Sequence, residues 1–185
     1  MGAFLTGRVR LEQTDKTRIF RILDNELYQD DDDYIYLVPR YMQTDNYTIP
    51  LWISAIGGSP VDYRVEPSHL HDFACYAFAV VYVTLTKEEL QEKGFYRYSN
   101  NRGMWVCENI PREFLAVRPI TKMQANNLLY RAMRAAGVPF IKRWIVRLGT
   151  IFNIGWFIKQ CKKANISIDF DKLYNKDFWD FVGRK

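Results

Sequence analysis

The sequence predicts an α+β fold, in which an N-terminal antiparallel β-sheet packs against two or three antiparallel helices and carries a small hairpin insertion. Residues 4–50 are rich in β-forming residues, and two capping boxes open helical segments further along the chain. With 185 residues, of which 48% are hydrophobic, the chain suits a domain with a sizeable core. We therefore expect one α+β domain over residues 1–165, followed by an aromatic tail over residues 166–185.

Two short segments on either side of an acidic run predict the first strands. Thr17–Leu23 partly alternates between polar and apolar residues, and Tyr34–Pro39 is rich in residues that favour strands. Gln29–Asp33, which contains four consecutive aspartates, lies where a hairpin turn belongs. Calcium loops alternate their ligands with spacers and usually contain a glycine, so the aspartates favour a solvated turn over a cation site.

A loop rich in proline and glycine follows, and it leads into a helix that is predicted to begin near Glu66–Ser68. Proline is favoured in the first turn of a helix, and the apolar run that continues to about Thr84 is long enough for a buried helix. The step His71-Asp72 lies near the head of this helix and contains one of only two histidines in the chain. Such a polar pair is costly to bury unless it is paired or used.

Residues 86–119 are predicted to form an insertion. Thr86–Glu89 is a capping box for a short helix that ends near Gly94. Two strand-like segments, Tyr96–Tyr98 and Met104–Cys107, flank a polar stretch with a glycine, and this spacing is typical of a hairpin.

A second capping box, Thr121–Gln124, opens a helix with a marked apolar face. Gly137 ends it, and a further helix is predicted over Phe140–Lys162. Much of the chain's basic excess, which gives a net charge of +5, lies between Arg131 and Lys163. We interpret the basic residues as a solvated face, with contact to nucleic acid or an anionic membrane surface as the alternative. The longest apolar stretch of the chain, Trp144–Ile158, is shorter than the roughly 20 residues that a membrane-spanning helix needs.

Three cysteines without a CxxC spacing predict neither a disulfide framework nor a structural zinc site. The chain therefore has the composition of a protein made in a reducing cytoplasm. The N-terminus lacks the long apolar region of a signal peptide.

Several motifs, taken in order, resemble a family of unknown function that is found in tailed-bacteriophage and prophage genomes. They are Thr44-Asp45 with Ile49-Pro50, then Leu70-His71-Asp72, then the pattern that starts at Ala125-Asn126 and ends at Gly137. The resemblance covers residues 15–155, with Asn126 standing where that family usually has aspartate. It implies a phage origin and does not supply an activity.

A second segment is similar to the calcium loop and catalytic helix of the secreted phospholipases A2. Residues 57–62 read Gly-Gly-Ser-Pro-Val-Asp, and eight residues later comes His71-Asp72. The resemblance implies that His71 is a general base, that Asp72 holds Ca²⁺ and that Asn126 replaces the carboxylate that orients the base. An amide cannot stabilise an imidazolium as a carboxylate does, so such an activity is expected to be degenerate.

Two interpretations of this region stay open. In the first, Thr44, Asp45, His71, Asp72 and Asn126 form a structural polar network that ties sheet to helices. In the second, His71, Asp72 and Asn126 are the catalytic residues of a hydrolase that acts on lipid or cell-wall material, with Asp72 as the metal ligand.

For function we favour a phage-encoded structural protein of the virion, in the head, connector or tail, that acts by protein–protein contact. It would be made in the cytoplasm of the bacterial host and join an oligomeric assembly with other virion proteins. No cofactor is expected, with Ca²⁺ only under the hydrolase alternative, and no specific nucleic acid is expected. A phage factor that acts on a host system is a further alternative. The residues expected to contact a partner are Trp144, Phe170, Tyr174, Phe178 and Trp179.

Overall fold

The structure is a computed structural model that describes residues 2–15, 19–44, 65–152 and 168–182. These residues form an α+β fold built on antiparallel sheets, as the sequence predicts. The strands are β1 (Ala3–Phe4), β2 (Leu11–Gln13), β3 (Phe20–Ile22), β4 (Glu26–Gln29), β5 (Ile35–Val38), β6 (Gln43–Thr44), β7 (Ala79–Val83), β8 (Tyr96–Ser99), β9 (Met104–Cys107) and β10 (Leu115–Pro119). The helices are α1 (Glu66–Ala77), α2 (Lys87–Glu92), α3 (Lys122–Ala135), α4 (Phe140–Phe152) and α5 (Lys176–Val182).

The main sheet has five strands in the order β1-β4-β5-β7-β10, and every neighbouring pair in it is antiparallel. The predicted turn at the aspartate run joins β5 to β4, a strand that was not predicted, whereas the segment predicted as the first strand supplies β3 to a separate three-stranded sheet, β2-β3-β6. The backbone of this turn closes with a 3.0 Å hydrogen bond from the Asp30 N–H to the Tyr34 oxygen, and the buried Asp30 carboxylate accepts the backbone N–H groups of Asp32 and Tyr34. The acidic run is therefore a hairpin turn, and its first carboxylate holds the turn together.

The predicted continuation of the first helix to Thr84 is wrong. Helix α1 ends at Ala77, Phe78 adopts a left-handed conformation with φ 51°, and the next five residues form β7 in the middle of the sheet. An apolar run of this length does not distinguish a buried strand from a buried helix by its periodicity. The β-branched valines of β7 favour the strand.

The segment predicted as an insertion divides between two parts of the fold. Helix α2 has both hydrogen bonds of its capping box, and β8 and β9 pair as a hairpin, as predicted. Strand β10, however, pairs along its whole length with β7. The last residues of the 86–119 segment therefore complete the main sheet.

The helices form a second layer on this sheet. Helix α1 lies against β5 and β7, α3 packs on α1, and α4 packs on α3. His71 contacts Asn126 near the middle of the pair, whereas Phe78 accepts a backbone hydrogen bond from Ile120 at its end, so α1 and α3 run antiparallel. Gly137, with φ 77°, follows the end of α3 as predicted.

The C-terminal helix α5 packs on the domain of its own chain. Trp179 is buried, and its ring lies 6.2 Å from that of Phe73 on α1. Asp180 forms an ion pair with Arg21 of the small sheet β2-β3-β6. The tail is therefore part of the folded unit.

Candidate functional site

Helix α1 places four groups that carry chemistry, His69, His71, Asp72 and Cys75, between the sheet and α3. Its N-terminus is compatible with proline, and Pro67 lies in its first turn. Residues two apart on a helix point in different directions. His69 accordingly faces Glu26 on β4, whereas His71 faces Asn126 on α3.

The structure brings together four of the five residues of the predicted polar network. The Thr44 hydroxyl donates to Asp72 Oδ2 at 2.6 Å, and His71 Nε2 lies 2.9 Å from the Asn126 amide oxygen. The other ring nitrogen of His71, Nδ1, lies 3.8 Å from Asp72 Oδ1. Asp45, the fifth residue, and the glycine-rich segment 57–62 lie outside the described residues.

A buried cysteine completes this cluster. Cys75 Sγ lies 3.4 Å from the same His71 nitrogen that meets Asn126. The contact is between residues i and i+4 of one helix, a spacing that the sequence itself contains. Because Nε2 contacts both Asn126 and Cys75, the imidazole, the thiol and the amide do not form a relay in which each ring nitrogen serves one partner.

The environment of His71 favours its protonated form. Burial alone would lower the pKa of His71, but its contacts with Asp72 and Cys75 outweigh burial and raise the pKa to about 10. The ring is then charged at neutral pH, and its Nε2–H donates to the Asn126 oxygen. A base that is already protonated cannot accept a proton from water, so this geometry does not suit general-base catalysis at neutral pH.

A second buried pair, which the sequence did not predict, lies one turn away. His69 Nδ1 contacts the Glu26 carboxylate, and both side chains are buried. Burial alone would lower the pKa of His69, but the Glu26 charge and hydrogen bond raise it. The two residues are 43 positions apart in the chain, so no local pattern pairs them.

The described residues do not form a Ca²⁺ site around Asp72. One Asp72 oxygen accepts the Thr44 hydroxyl, and the other faces the protonated imidazole of His71. Within the described ranges, no group of three or more acidic, histidine or cysteine side chains is placed to hold a metal ion. A hard cation needs several oxygen ligands, and the predicted glycine-rich loop that would supply others lies outside these ranges.

An open cleft of about 310 Å³ lies elsewhere, between the small sheet and α5. It is polar and includes Glu12, Arg21 and Asp180. None of the predicted catalytic or network residues lines it. The cleft therefore gives no access to His71.

The five residues predicted to contact a partner differ in their environments. Trp144 on α4 is exposed, whereas Phe170, Tyr174 and Phe178 are half-buried against the core of their own chain. Trp179 is buried in the core of its own chain, and its Nε1–H donates to the Leu173 oxygen at 2.7 Å. Trp179 therefore holds the C-terminal tail against the domain of its own chain.

Three other exposed apolar side chains lie at the end of α1, the start of α3 and the end of α5, and we call them the end patch. They are Phe78, Met123 and Phe181, with 44%, 55% and 60% of their surfaces exposed. The Phe78 oxygen accepts the Ile120 N–H near the start of α3, and the Tyr76 hydroxyl donates to the Val182 oxygen of α5 at 2.8 Å. These contacts bring the three helix ends that carry the patch to one end of the molecule.

Among the described residues, no helix combines the length and apolar character that crossing a bilayer requires. Comparison with known proteins gives a single finding. The family described as "Protein of unknown function (DUF1353)" matches residues 20–149, from β3 into α4. No curated protein and no solved structure matches the chain.

Proposed function

The chain belongs to the DUF1353 family, whose match covers more than half of its length, and we propose that it works by protein–protein contact as a virion-associated protein of a tailed bacteriophage or prophage. The ordered motifs at Thr44, Leu70–Asp72 and Ala125-Asn126 support the phage origin by resemblance. The contact surface in this proposal is the end patch.

Phe78 is the observation that carries the proposal. It holds a left-handed backbone, φ 51° and ψ 27°, at the C-terminal end of α1. Glycine is the usual residue there, because any side chain in this conformation costs about 1 kcal/mol or more. A bulky aromatic residue that is also 44% exposed is therefore poorly explained by stability. Strained residues of this kind cluster at functional sites.

The C-terminal tail contributes Phe181 to the end patch. Trp179 anchors α5 in the core, and this docking presents Phe181 on the outside at the end where Phe78 and Met123 lie. Single exposed apolar residues are common on protein surfaces, whereas a group at one end is typical of an interaction site. Aromatic residues and methionine are enriched in such interfaces.

The interior of the domain supports contact over catalysis. The chemically reactive side chains of α1 are paired within the chain, and His71 is held in its protonated form. The hydrolase alternative requires this imidazole to accept a proton from water. We therefore expect no calcium-dependent hydrolysis of lipid or cell-wall substrates, and no difference between the wild type and His71→Gln in such an assay.

The test starts from particles produced by cells that carry the gene. Peptide mapping of purified particles by mass spectrometry should find the chain at a stoichiometric copy number. A photo-crosslinking residue placed at Phe181 should then yield a single major adduct with one particle protein. The same residue at Glu88, exposed on α2, is the matched control and should yield no such adduct.

Absence of the chain from particles, in cells that express it, would overturn the virion proposal. The alternative of a factor that acts on a host system then predicts that the Phe181 adduct forms with a host protein before particles assemble. Equal crosslinking from Phe181 and Glu88 would show that the end patch has no special role.

A further inference from the structure

Helix α4 carries a second exposed apolar surface, which lies outside the end patch. Phe140, Ile141, Trp144 and Leu148 are 59%, 72%, 41% and 44% exposed. At about 100° per residue, these four positions fall within an arc of roughly 100° on one side of the helix. We call this surface the α4 stripe.

The opposite side of α4 packs against α3. Val146 packs with Leu129 and Met133 of α3, and the backbone at Gly149 is buried. The helix is therefore held in place by its inner face before any partner arrives. The α4 stripe is left on the outermost layer of the domain, where no described element covers it.

The charges of α4 are all of one sign. Phe140–Phe152 contains Lys142, Arg143 and Arg147 and no acidic residue. Arg143 and Arg147 lie over the Tyr130 ring, with their guanidinium carbons 5.2 and 5.3 Å from its centroid. Both arginines therefore border the apolar stripe on the same flank.

The arginines of the neighbouring helix provide an internal comparison. On α3, Arg131 pairs with Asp30 and Asp32, and Arg134 pairs with Asp31. Among the described residues, no carboxylate lies within ion-pair distance of Arg143 or Arg147. The two arginines of α3 are thus neutralised within the fold, whereas Arg143 and Arg147 face no described carboxylate, and Arg147 donates to the neutral Asn127 amide oxygen at 3.0 Å.

We propose that α4 binds an anionic lipid surface, lying in the plane of the interface. An apolar stripe rich in aromatic and aliphatic residues, bordered by arginines and free of acidic residues, is the pattern of interfacial amphipathic helices. Trp144 lies within the stripe, and the Arg147 guanidinium lies 5.4 Å from its ring centroid. Tryptophan and arginine favour the level of the headgroups, where the ring meets hydrocarbon and the charge meets phosphate.

An anionic lipid surface suits this helix because it offers hydrocarbon to the apolar stripe and phosphate to the arginines. The four exposed side chains lie within an arc of roughly 100° on α4, so one flat surface can contact all four together. Burying them supplies the apolar part of the binding free energy, and the arginines supply attraction that depends on anionic lipid and on ionic strength.

The experiment measures binding of the full chain to vesicles of phosphatidylcholine alone and of phosphatidylcholine mixed with phosphatidylglycerol. We expect binding to the mixed vesicles, much weaker binding to the neutral ones, and loss of affinity as salt is raised. Ile141→Ser should weaken binding by about tenfold, because it removes an apolar side chain that is buried in the lipid. Arg147→Gln should weaken binding to the mixed vesicles only.

Two further variants keep the result specific to the stripe. Phe181→Ser, on the end patch, is the matched apolar control and should bind like the wild type. Trp144→Phe should still bind, but the blue shift of tryptophan fluorescence on binding should be smaller than in the wild type. Thermal unfolding of each variant checks that the fold is kept, as expected for exposed positions.

Failure to bind mixed vesicles, equal binding to both vesicle types, or an equal loss with Phe181→Ser would each overturn the lipid assignment. A protein partner at the stripe would appear as absence of vesicle binding together with a Phe140 photo-adduct to a protein. The end patch and its particle partner are tested separately, so either proposal can fail while the other holds.

Discussion

Helices α1 and α4 have similar lengths, 12 and 13 residues, but they place polar and apolar side chains in opposite ways. Helix α1 buries two histidines and a glutamate, whereas α4 exposes a tryptophan, a phenylalanine and two aliphatic residues. The difference follows from their layers: α1 is covered by the sheet on one side and by α3 on another, whereas α4, among the described elements, packs mainly on α3. Polar groups on α1 must therefore be paired inside, and apolar groups on α4 remain available outside.

The largest effect is expected from breaking the buried pair beneath α1. Glu26→Gln removes the charge that His69 faces, and removal of one partner of a buried ion pair typically costs about 3–5 kcal/mol of unfolding free energy. Urea unfolding measures this loss. The control Glu88→Gln, on the exposed face of α2, should change stability by less than about 0.5 kcal/mol. Similar stabilities of the two variants would contradict the importance of the pair.

A smaller loss is expected at the next contact of α1. Asn126→Leu removes the acceptor of the His71 Nε2–H and should cost about 1–3 kcal/mol, because a buried donor is left without its partner. Asn126→Asp keeps an acceptor beside the protonated ring and should cost less than Asn126→Leu. Chemical denaturation ranks the two variants, and the reverse order would contradict a protonated His71.

The pH dependence of stability tests the same assignment. The pKa of His71 in the folded chain, about 10, lies above the ordinary histidine value of 6.5, so its contribution is complete below about pH 6.5 and is lost as pH rises through 10. The pKa of His69 is also raised in the folded chain, so its contribution to stability is likewise lost as pH rises. We therefore expect the unfolding free energy of the wild type to fall from neutral to alkaline pH. In His71→Gln the fall should be shallower, and identical profiles would argue against a charged His71.

A still smaller effect on stability is expected at Phe78 of the end patch, where two variants distinguish backbone strain from a role of the ring in partner contact. Phe78→Gly and Phe78→Ala both remove the ring, but only glycine accepts φ 51° without cost. Phe78→Gly should therefore be more stable than Phe78→Ala by about 1 kcal/mol in thermal or urea unfolding. Both variants should reduce the crosslink from Phe181. An unchanged crosslink in either variant would exclude the ring from the contact.

The smallest effect on stability is expected on α4. Ile141→Ser lies on a surface that no described element covers, so the unfolding free energy should change by less than about 0.5 kcal/mol. A larger loss in urea unfolding would mean that the α4 stripe is part of the core and is not a free surface. Comparison with the Glu26→Gln variant then shows how much more the contacts of α1 contribute to the unfolding free energy than the exposed face of α4 does.

Much of the candidate site required the tertiary structure. The contact of His71 with Asn126 was predicted with the help of a family resemblance, and the contact of His71 with Cys75 was not predicted. The pairing of Glu26 with His69 could not be predicted, because Glu26 lies in a short strand that is far from His69 in the sequence. An alternating apolar pattern shows which face of a strand is buried, but it does not show which helix residue lies opposite.

The sequence by itself determined the elements that depend on neighbouring residues. Capping boxes open α2 and α3, Gly137 follows the end of α3, and the aspartate run forms the turn between β4 and β5. These signals depend on residues three or four positions apart, so they can be recognised in the sequence without knowledge of the tertiary structure. The tertiary structure decided that the valine run after Phe78 is a strand, that the tail docks through Trp179, and that α1 is an inner helix while α4 is an outer one. Burial and long-range pairing set those outcomes, because the free energy of a buried side chain depends on what the rest of the chain places against it.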